Sequence, residues 1–264
     1  MAKPLAGRLA LVTGSVGGIG NAFARRLAEA GADVVMSGLE PVADVEATRQ
    51  DMEKGAGVRV RYIRADLTKL ADLESLTKQA AEGGPVHILV NNAVIRHFAP
   101  VDQFPPERWE QGLAVNVSAP FHLARLLLTG MRAAGYGRIF NMTSVYGTRA
   151  TVNRVDYITA KHAIEGMTRA IAMETATDDN VSCHALCPGT VLTPNIEGRI
   201  KALAAEQNLD WEKAQAAFMQ GKQPSGRPVE AGNVAEMLAM LCGPIGRDMN
   251  GSIIPIEGGW LAKA

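Results

Sequence analysis

Residues 13–20, TGSVGGIG, constrain this chain more than any other stretch. A short apolar run, LALV, leads straight into them, and a helical pattern over 21–30 leaves them. Glycines at 14, 18 and 20 permit a tight turn that brings backbone N–H groups close to an anion. The positive end of the following helix points at the same place. Without a ligand the segment is an ordinary strand-to-helix turn; with one it is a phosphate cradle. The rest of the chain continues the strand–helix rhythm. Runs rich in β-branched residues at 8–12, 33–37, 58–64, 86–90, 138–142, 181–186 and 252–256 alternate with longer helical patterns. That alternation predicts an α/β, Rossmann-type doubly wound parallel sheet of about seven strands with helices on both faces. The third run, VRVRYIR, alternates apolar residues with arginine and is expected at a solvent-facing edge. An edge third strand implies the order 3-2-1-4-5-6, here with a seventh strand added. No linker divides the chain, so residues 1–264 are expected to form one domain. Residues 195–222, a long helical segment between the last two strands, are expected to act as a substrate lid.

Charge excludes some functions. Lys+Arg and Asp+Glu balance at 27 each, so no global field draws in nucleic acid or an anionic membrane. Anion recognition must therefore come from locally placed charges. The cysteines Cys183, Cys187 and Cys242 show no zinc-like grouping and suit a reducing compartment as small buried hydrophobes. The five histidines are scattered, and no metal site is expected. No apolar run reaches the ~18 residues needed to span a bilayer, and MAKPLAGR lacks an apolar signal core. A soluble cytoplasmic protein is expected.

Tyr157 and Lys161, in DYITAK, fall one helical turn apart on one face. A free phenol has a pKa near 10, and a neighbouring ammonium favours its ionised form, which suits a general acid/base at neutral pH. Ser144 in NMTS and Asn116 in VNVS complete a polar set. Taken singly, each has a plainer explanation: a helix-start tyrosine, a solvated lysine, a loop serine, an asparagine capping buried backbone.

Together, and in this order, TGSVGGIG, ADLT, NNA, VNVS, NMTS, YITAK and PGTVLT resemble the short-chain dehydrogenase/reductase family over essentially the whole chain. The resemblance implies a catalytic tetrad of Asn116, Ser144, Tyr157 and Lys161. Tyr157 would be the general acid/base. Lys161 would lower its pKa and reach the nicotinamide ribose, Ser144 would bond the substrate oxygen, and Asn116 would hold a water linking Lys161 to solvent. The implied cofactor contacts are Gly14, Ser15, Gly18, Ile19 and Gly20 in the turn, Gly38 and Leu39 after the second strand, and Asp66 and Leu67 near the adenine. Asn92 and Ala93 follow in the central segment, then Pro188, Gly189, Val191 and Thr193 at the nicotinamide carboxamide, with Tyr157 and Lys161 themselves. In VVMSGLEP, Glu40 is close and no cation lies between residues 34 and 40, which favours NAD over NADP. Arg61 or Arg64, approaching from the third strand, is the route by which a 2′-phosphate would be met. Family members are commonly tetramers that pair helices like those around 113–134 and 157–176.

DQFPPERW, GYGRIFN, KQPS and EGGW look most like the bacterial D-3-hydroxybutyrate dehydrogenases within that family. The corresponding substrate-binding positions are Arg96, Tyr146, Arg154 and Arg199, with Ser144 at the reacting oxygen and walls at Thr190 and Trp260. Only Trp260 keeps the expected residue type. Arginines stand where that subfamily has two glutamines and a lysine, Tyr146 replaces a histidine, and Thr190 replaces a tryptophan. Val94 replaces the glycine after NNA and narrows the space beside it. Guanidinium groups offer paired planar donors to carboxylate, sulfonate or phosphate. The expected substrate is a small anionic hydroxy or oxo acid, larger or more anionic than 3-hydroxybutyrate. The alternatives are a neutral carbonyl such as a sugar or cyclic ketone, with these arginines as solvated charge, and a non-enzymatic cofactor-binding regulator.

Overall fold

The computed structural model describes residues 3–262. The apolar runs form strands β1 (Leu9–Thr13), β2 (Asp33–Gly38), β3 (Val60–Arg64), β4 (Ile88–Asn91), β5 (Gly137–Met142) and β6 (Val181–Pro188). Two short strands, β7 (Val191–Leu192) and β8 (Val229–Glu230), and then β9 (Ile253–Ile256) follow. Seven of them make one sheet of order β3-β2-β1-β4-β5-β6-β9, with every neighbouring pair parallel. This is the expected doubly wound order with the seventh strand at the far edge. β7 and β8 pair separately, and strands of two residues are too short to leave a periodic signal.

Helices α1 (Gly18–Glu29), α2 (Val42–Ala56) and α9 (Ala231–Leu241) cover one face of the sheet. The other face is covered by α3 (Leu70–Ala80), α5 (Ala119–Ala133) and α6 (Val155–Glu174). The two-residue period of a strand decides which side chain goes where. From β1, Ala10 and Val12 join Phe23, Leu27 and Leu238 on the first face, while Leu9 and Leu11 join Leu76, Leu123 and Leu127 on the second. Helix α4 (Pro106–Leu113) runs through a π-helical turn, Ala114–Ser118, into α5. After β7 come α7 (Pro194–Gln207) and α8 (Trp211–Met219), and α10 (Pro244–Asp248) precedes β9.

Strand ends differ from the apolar runs by at most two residues, because ladder pairing and not hydrophobicity sets them. Val58 and Arg59 fall outside β3, where the Arg59 N–H bonds the Asp33 carboxylate. β3 does lie at the edge. Its Arg61 reaches away from the end of β2 to the Gln79 and Ala80 carbonyls closing α3, at 2.9 and 2.6 Å.

Two sets of polar contacts fix the carboxyl-end elements. The Thr13 hydroxyl accepts from the N–H groups of Asn92 and Ala93, and the Asn92 amide donates to the carbonyls of Thr13 and Gly14 at 3.0 Å each. Gly14 has φ +61°, and a Cβ at Gly20 would lie 2.2 Å from the Gly14 carbonyl oxygen, so neither position has room for a side chain. Further along the sheet, Asn91 donates to Asn141 at 2.8 Å and Asn141 donates to Thr168 on α6 at 3.0 Å, all three buried. The Thr143 hydroxyl adds a bond to the buried Glu165 carboxylate, also on α6.

Asn141→Leu keeps the branched shape of the side chain but leaves the buried Asn91 amide without its acceptor. A cost of about 2–3 kcal/mol is expected, which lowers Tm by about 5–10 °C for a chain of this size. Calorimetry checks the value, and an unchanged Tm would remove this network from the fold's supports.

Candidate active site

A cavity of about 390 Å³ opens at the carboxyl ends of β1, β2 and β4. Gly14, Ile19, Gly20, Gly38, Leu39, Asp66, Leu67, Asn92 and Ala93 all line it, as does Glu40. A second cavity of about 210 Å³ is lined by Ser144, Tyr146, Arg154, Tyr157, Lys161, Pro188, Gly189, Thr190, Val191, Arg199 and Trp260. Ile19, Asn92, Val94, Arg96 and Thr193 line both, so the two form one cleft. Gly18 sits beside this junction, with the Thr193 methyl 3.6 Å from where its Cβ would stand. Ser15 is turned inward. It is fully buried, its hydroxyl accepts from Ser37 N–H at 3.0 Å, and its own N–H bonds the Ser37 carbonyl.

The end of β2 is acidic. A Cβ at Gly38 would lie 2.3 Å from the Glu40 carboxylate, so that carboxylate occupies the space a side chain at 38 would fill. Arg64 is the nearby cation, donating to the Leu39 carbonyl at 2.8 Å. Across the cleft, bonds from Thr68 hold the Asp66 carboxyl below its ordinary range.

Tyr157 and Lys161 are both buried, one turn apart on α6. The Lys161 ammonium lies 5.3 Å from the Tyr157 ring centroid and donates to the Met142 carbonyl at 2.6 Å. Burial pushes the Tyr157 phenol up. The charges of Lys161 and Arg96, a hydrogen bond with Ser144 and the charge of Arg154 outweigh burial, leaving the phenol below its ordinary value. Burial also pulls the Lys161 ammonium down, against the opposing pull of Tyr157. The result is a buried phenol that gives up its proton more readily than a free one, as a general acid/base requires.

Asn116 lies within the π-helical turn, and both polar groups of its side chain bond the Ile95 backbone. Its carbonyl oxygen accepts from Ile95 N–H at 3.0 Å and its amide donates to the Ile95 carbonyl at 2.9 Å. The π turn around it displaces main-chain groups from the usual helical ladder, where a water can meet them.

The substrate-side residues converge as well. The Arg96 guanidinium lies 4.9 Å from the Tyr157 ring centroid. Arg154 is the residue just before α6 and stacks between Phe98 and Tyr146, at 4.6 and 5.2 Å. Tyr146 meets Tyr157 and Trp260 edge-on. Arg199, on α7, faces the Phe218 ring at 5.1 Å. Phe218 and Lys222 line the cavity too, with the ammonium 4.0 Å from that ring, and sequence reasoning did not single out either residue. Their only local signal is a four-residue spacing that lets Lys222 bond the Phe218 carbonyl. No helix among the described residues is long and apolar enough to cross a membrane, and no cluster there is able to hold a metal.

Known proteins resemble this chain over nearly its whole length. The pattern described as "short chain dehydrogenase" matches residues 8–203. The D-beta-hydroxybutyrate dehydrogenase of Cupriavidus necator is 38% identical over 98% of this chain and 100% of its own length. The protein of the same name from Rhizobium meliloti is 33% identical over 97% of this chain and 99% of its own. The crystal structure of L-sorbose reductase from Gluconobacter frateurii, complexed with NADPH and L-sorbose, superposes with a TM-score of 0.91 at 26% identity, covering 100% of both chains. The chain belongs to the short-chain dehydrogenase family of oxidoreductases acting on alcohol and ketone groups.

Proposed function

We propose that this enzyme transfers hydride between NAD and the secondary alcohol or ketone of a small anionic hydroxy or oxo acid. The observation that carries the reading is the cavity beside Tyr157, lined by Arg96, Arg154 and Arg199 and by no aspartate or glutamate. The relatives named for D-beta-hydroxybutyrate support it, since their namesake substrate is such an acid. L-sorbose reductase gives some weight to a neutral sugar, but a neutral substrate leaves the guanidinium groups without a counter-charge.

The glycine turn fits a dinucleotide: its backbone approaches closely where a Cβ at Gly20 would collide, and the N-terminus of α1 faces the larger cavity. When bound, the nicotinamide supplies the hydride acceptor or donor. Tyr157 takes the alcohol proton in oxidation and returns it in reduction. Ser144 bonds the same oxygen, Lys161 favours the phenolate, and a water held near Asn116 connects Lys161 to solvent. Glu40, standing where a β2 side chain would reach, accepts from the adenosine ribose hydroxyls and repels a 2′-phosphate. The segment 195–222, which brings Arg199 and Phe218 to the cavity, closes over the substrate as a lid. A homotetramer formed through α5 and α6 would cover Phe121 and Met173, which are 48% and 77% exposed. The buried free cysteines Cys183, Cys187 and Cys242 fit a cytoplasmic setting.

Four measurements test these assignments. Tyr157→Phe should lower kcat by about 10²–10⁴-fold. In the parent enzyme, oxidation needs the phenolate, so kcat should rise with pH and level off below the ordinary phenol value of about 10, while reduction should fall over the same range. A flat profile, or full activity in the variant, would remove Tyr157 from proton transfer. Rates with NAD should exceed those with NADP at equal concentration; the reverse would give Arg64 the 2′-phosphate. Arg154→Leu should raise KM for an acidic substrate by about ten- to a hundred-fold and hardly change it for a neutral alcohol, because a charge-assisted bond is worth about 1.5–3 kcal/mol. Equal effects on both would take Arg154 out of the anion site.

A further inference from the structure

Besides Lys161, four cationic side chains, Arg96, Arg154, Arg199 and Lys222, line the one cavity of about 210 Å³, and no aspartate or glutamate lines it with them. Among the described residues none of the four forms an ion pair, whereas Arg25, Arg26, Arg49 and Arg132 elsewhere on the chain each have a carboxylate within 2.9 Å. Aromatic faces hold them instead. Arg154 lies over Phe98 and Tyr146, Arg96 over Tyr157, and Arg199 and Lys222 share Phe218. A π face orients a cation without cancelling its charge, so these groups keep their full attraction for an anion. They also repel one another. Lys222 is only partly exposed, and after burial itself the charges of Arg199 and Arg154 are what make its ammonium harder to keep.

The cations fall into two pairs by the parts of the fold that carry them. Arg96 follows β4 and Arg154 precedes α6, and the charges of both act on Tyr157. Arg199 on α7 and Lys222 beyond α8 come from the segment over the cavity. One carboxylate beside the reacting carbon satisfies the first pair and leaves the second uncompensated. We propose that the substrate carries two anionic groups, one held by Arg154 and Arg96 beside Tyr157 and the other by Arg199 and Lys222. The chemical class is a short hydroxy or oxo acid with a second carboxylate or a sulfonate. Lys222 is then a specificity-determining residue. The second anion also ties the 195–222 segment to the frame, so a substrate with one charge closes the site less well. This inference rests on the reading of the cavity as an acid site.

The test compares kcat/KM for 3-hydroxybutyrate, 3-hydroxyglutarate and 3-hydroxy-4-sulfobutyrate at constant ionic strength in the parent enzyme and in Lys222→Gln, Arg199→Gln and Lys222→Arg. Calorimetric titration of the cofactor-loaded enzyme with the non-reacting butyrate and glutarate gives binding without turnover. At least one dianion should exceed 3-hydroxybutyrate by ten-fold or more, and which of the two does so separates carboxylate from sulfonate. Both Gln variants should cost that dianion at least ten-fold more than they cost 3-hydroxybutyrate, mainly in KM, and Lys222→Arg should recover most of the preference. For a second carboxylate, glutarate should also bind more tightly than butyrate. Turnover of 3-hydroxybutyrate with no preference for either dianion, or equal losses on all substrates in both Gln variants, overturns the two-anion site while leaving the acid reading intact. Turnover of neutral sugars and of none of the three acids overturns both.

Discussion

The sheet reverses its order of connection between β1 and β4, and the bonds tying their carboxyl ends together determine what lies above them. β1 is followed outward by β2 and β3, whereas β4 is followed on the other side by β5, β6 and β9. At such a reversal the connecting segments leave in opposite directions and open a crevice. Thr13 and Asn92 fix its floor, and the Gly14 carbonyl that accepts from Asn92 is the atom packed tightly against Gly20 at the start of α1. The turn, the end of β4 and the first turn of the helix therefore move as one body. Asn92 lines both cavities, so the contact that shapes the glycine turn also lies where the two meet.

The reacting side of the crevice depends on a buried charge that is kept for its effect on a neighbour. An ammonium as enclosed as Lys161 is costly to desolvate, and its compensation is partial: one main-chain carbonyl and an adjacent phenol. Arg96 lowers the proton affinity of both groups, so it favours phenolate at Tyr157 while making the Lys161 charge harder to keep. Such a balance is sensitive to distance. The Asn91–Asn141–Thr168 chain and the Thr143–Glu165 bond seat α6 on the sheet from beneath and hold that distance constant.

Much of this was legible in the sequence, for identifiable reasons. Strand order followed from the apolar runs and from the arginines of VRVRYIR, since a one-sided pattern belongs at an edge. Tyr157 and Lys161 were legible because helical periodicity fixes their common face. What stayed hidden has no period. The inward turn of Ser15 depends on Ser37, a residue on another strand that side-chain type alone does not connect to it. The engagement of the Asn116 side chain depends on the backbone of Ile95. β7 and β8 are defined only by each other. Lys222 was hidden because its partner in the cavity, Arg199, lies across α8 and a loop, and only their shared contact with Phe218 places the two together.

The chain's zero net charge gives this local arrangement its meaning. A positive cleft on a uniformly basic protein would attract any anion, and selectivity would have to come from shape alone. Here the long-range field is weak, so an anion feels the cations only after it has entered. Inside, carboxylate partners would have ordered the same arginines equally well but would have neutralised them. Phe98, Tyr146 and Phe218 order them and leave them charged. On the proposed reading, discrimination depends on how many negative charges a ligand carries and how far apart they stand, because aromatic faces on two different parts of the fold set the spacing of the positive ones.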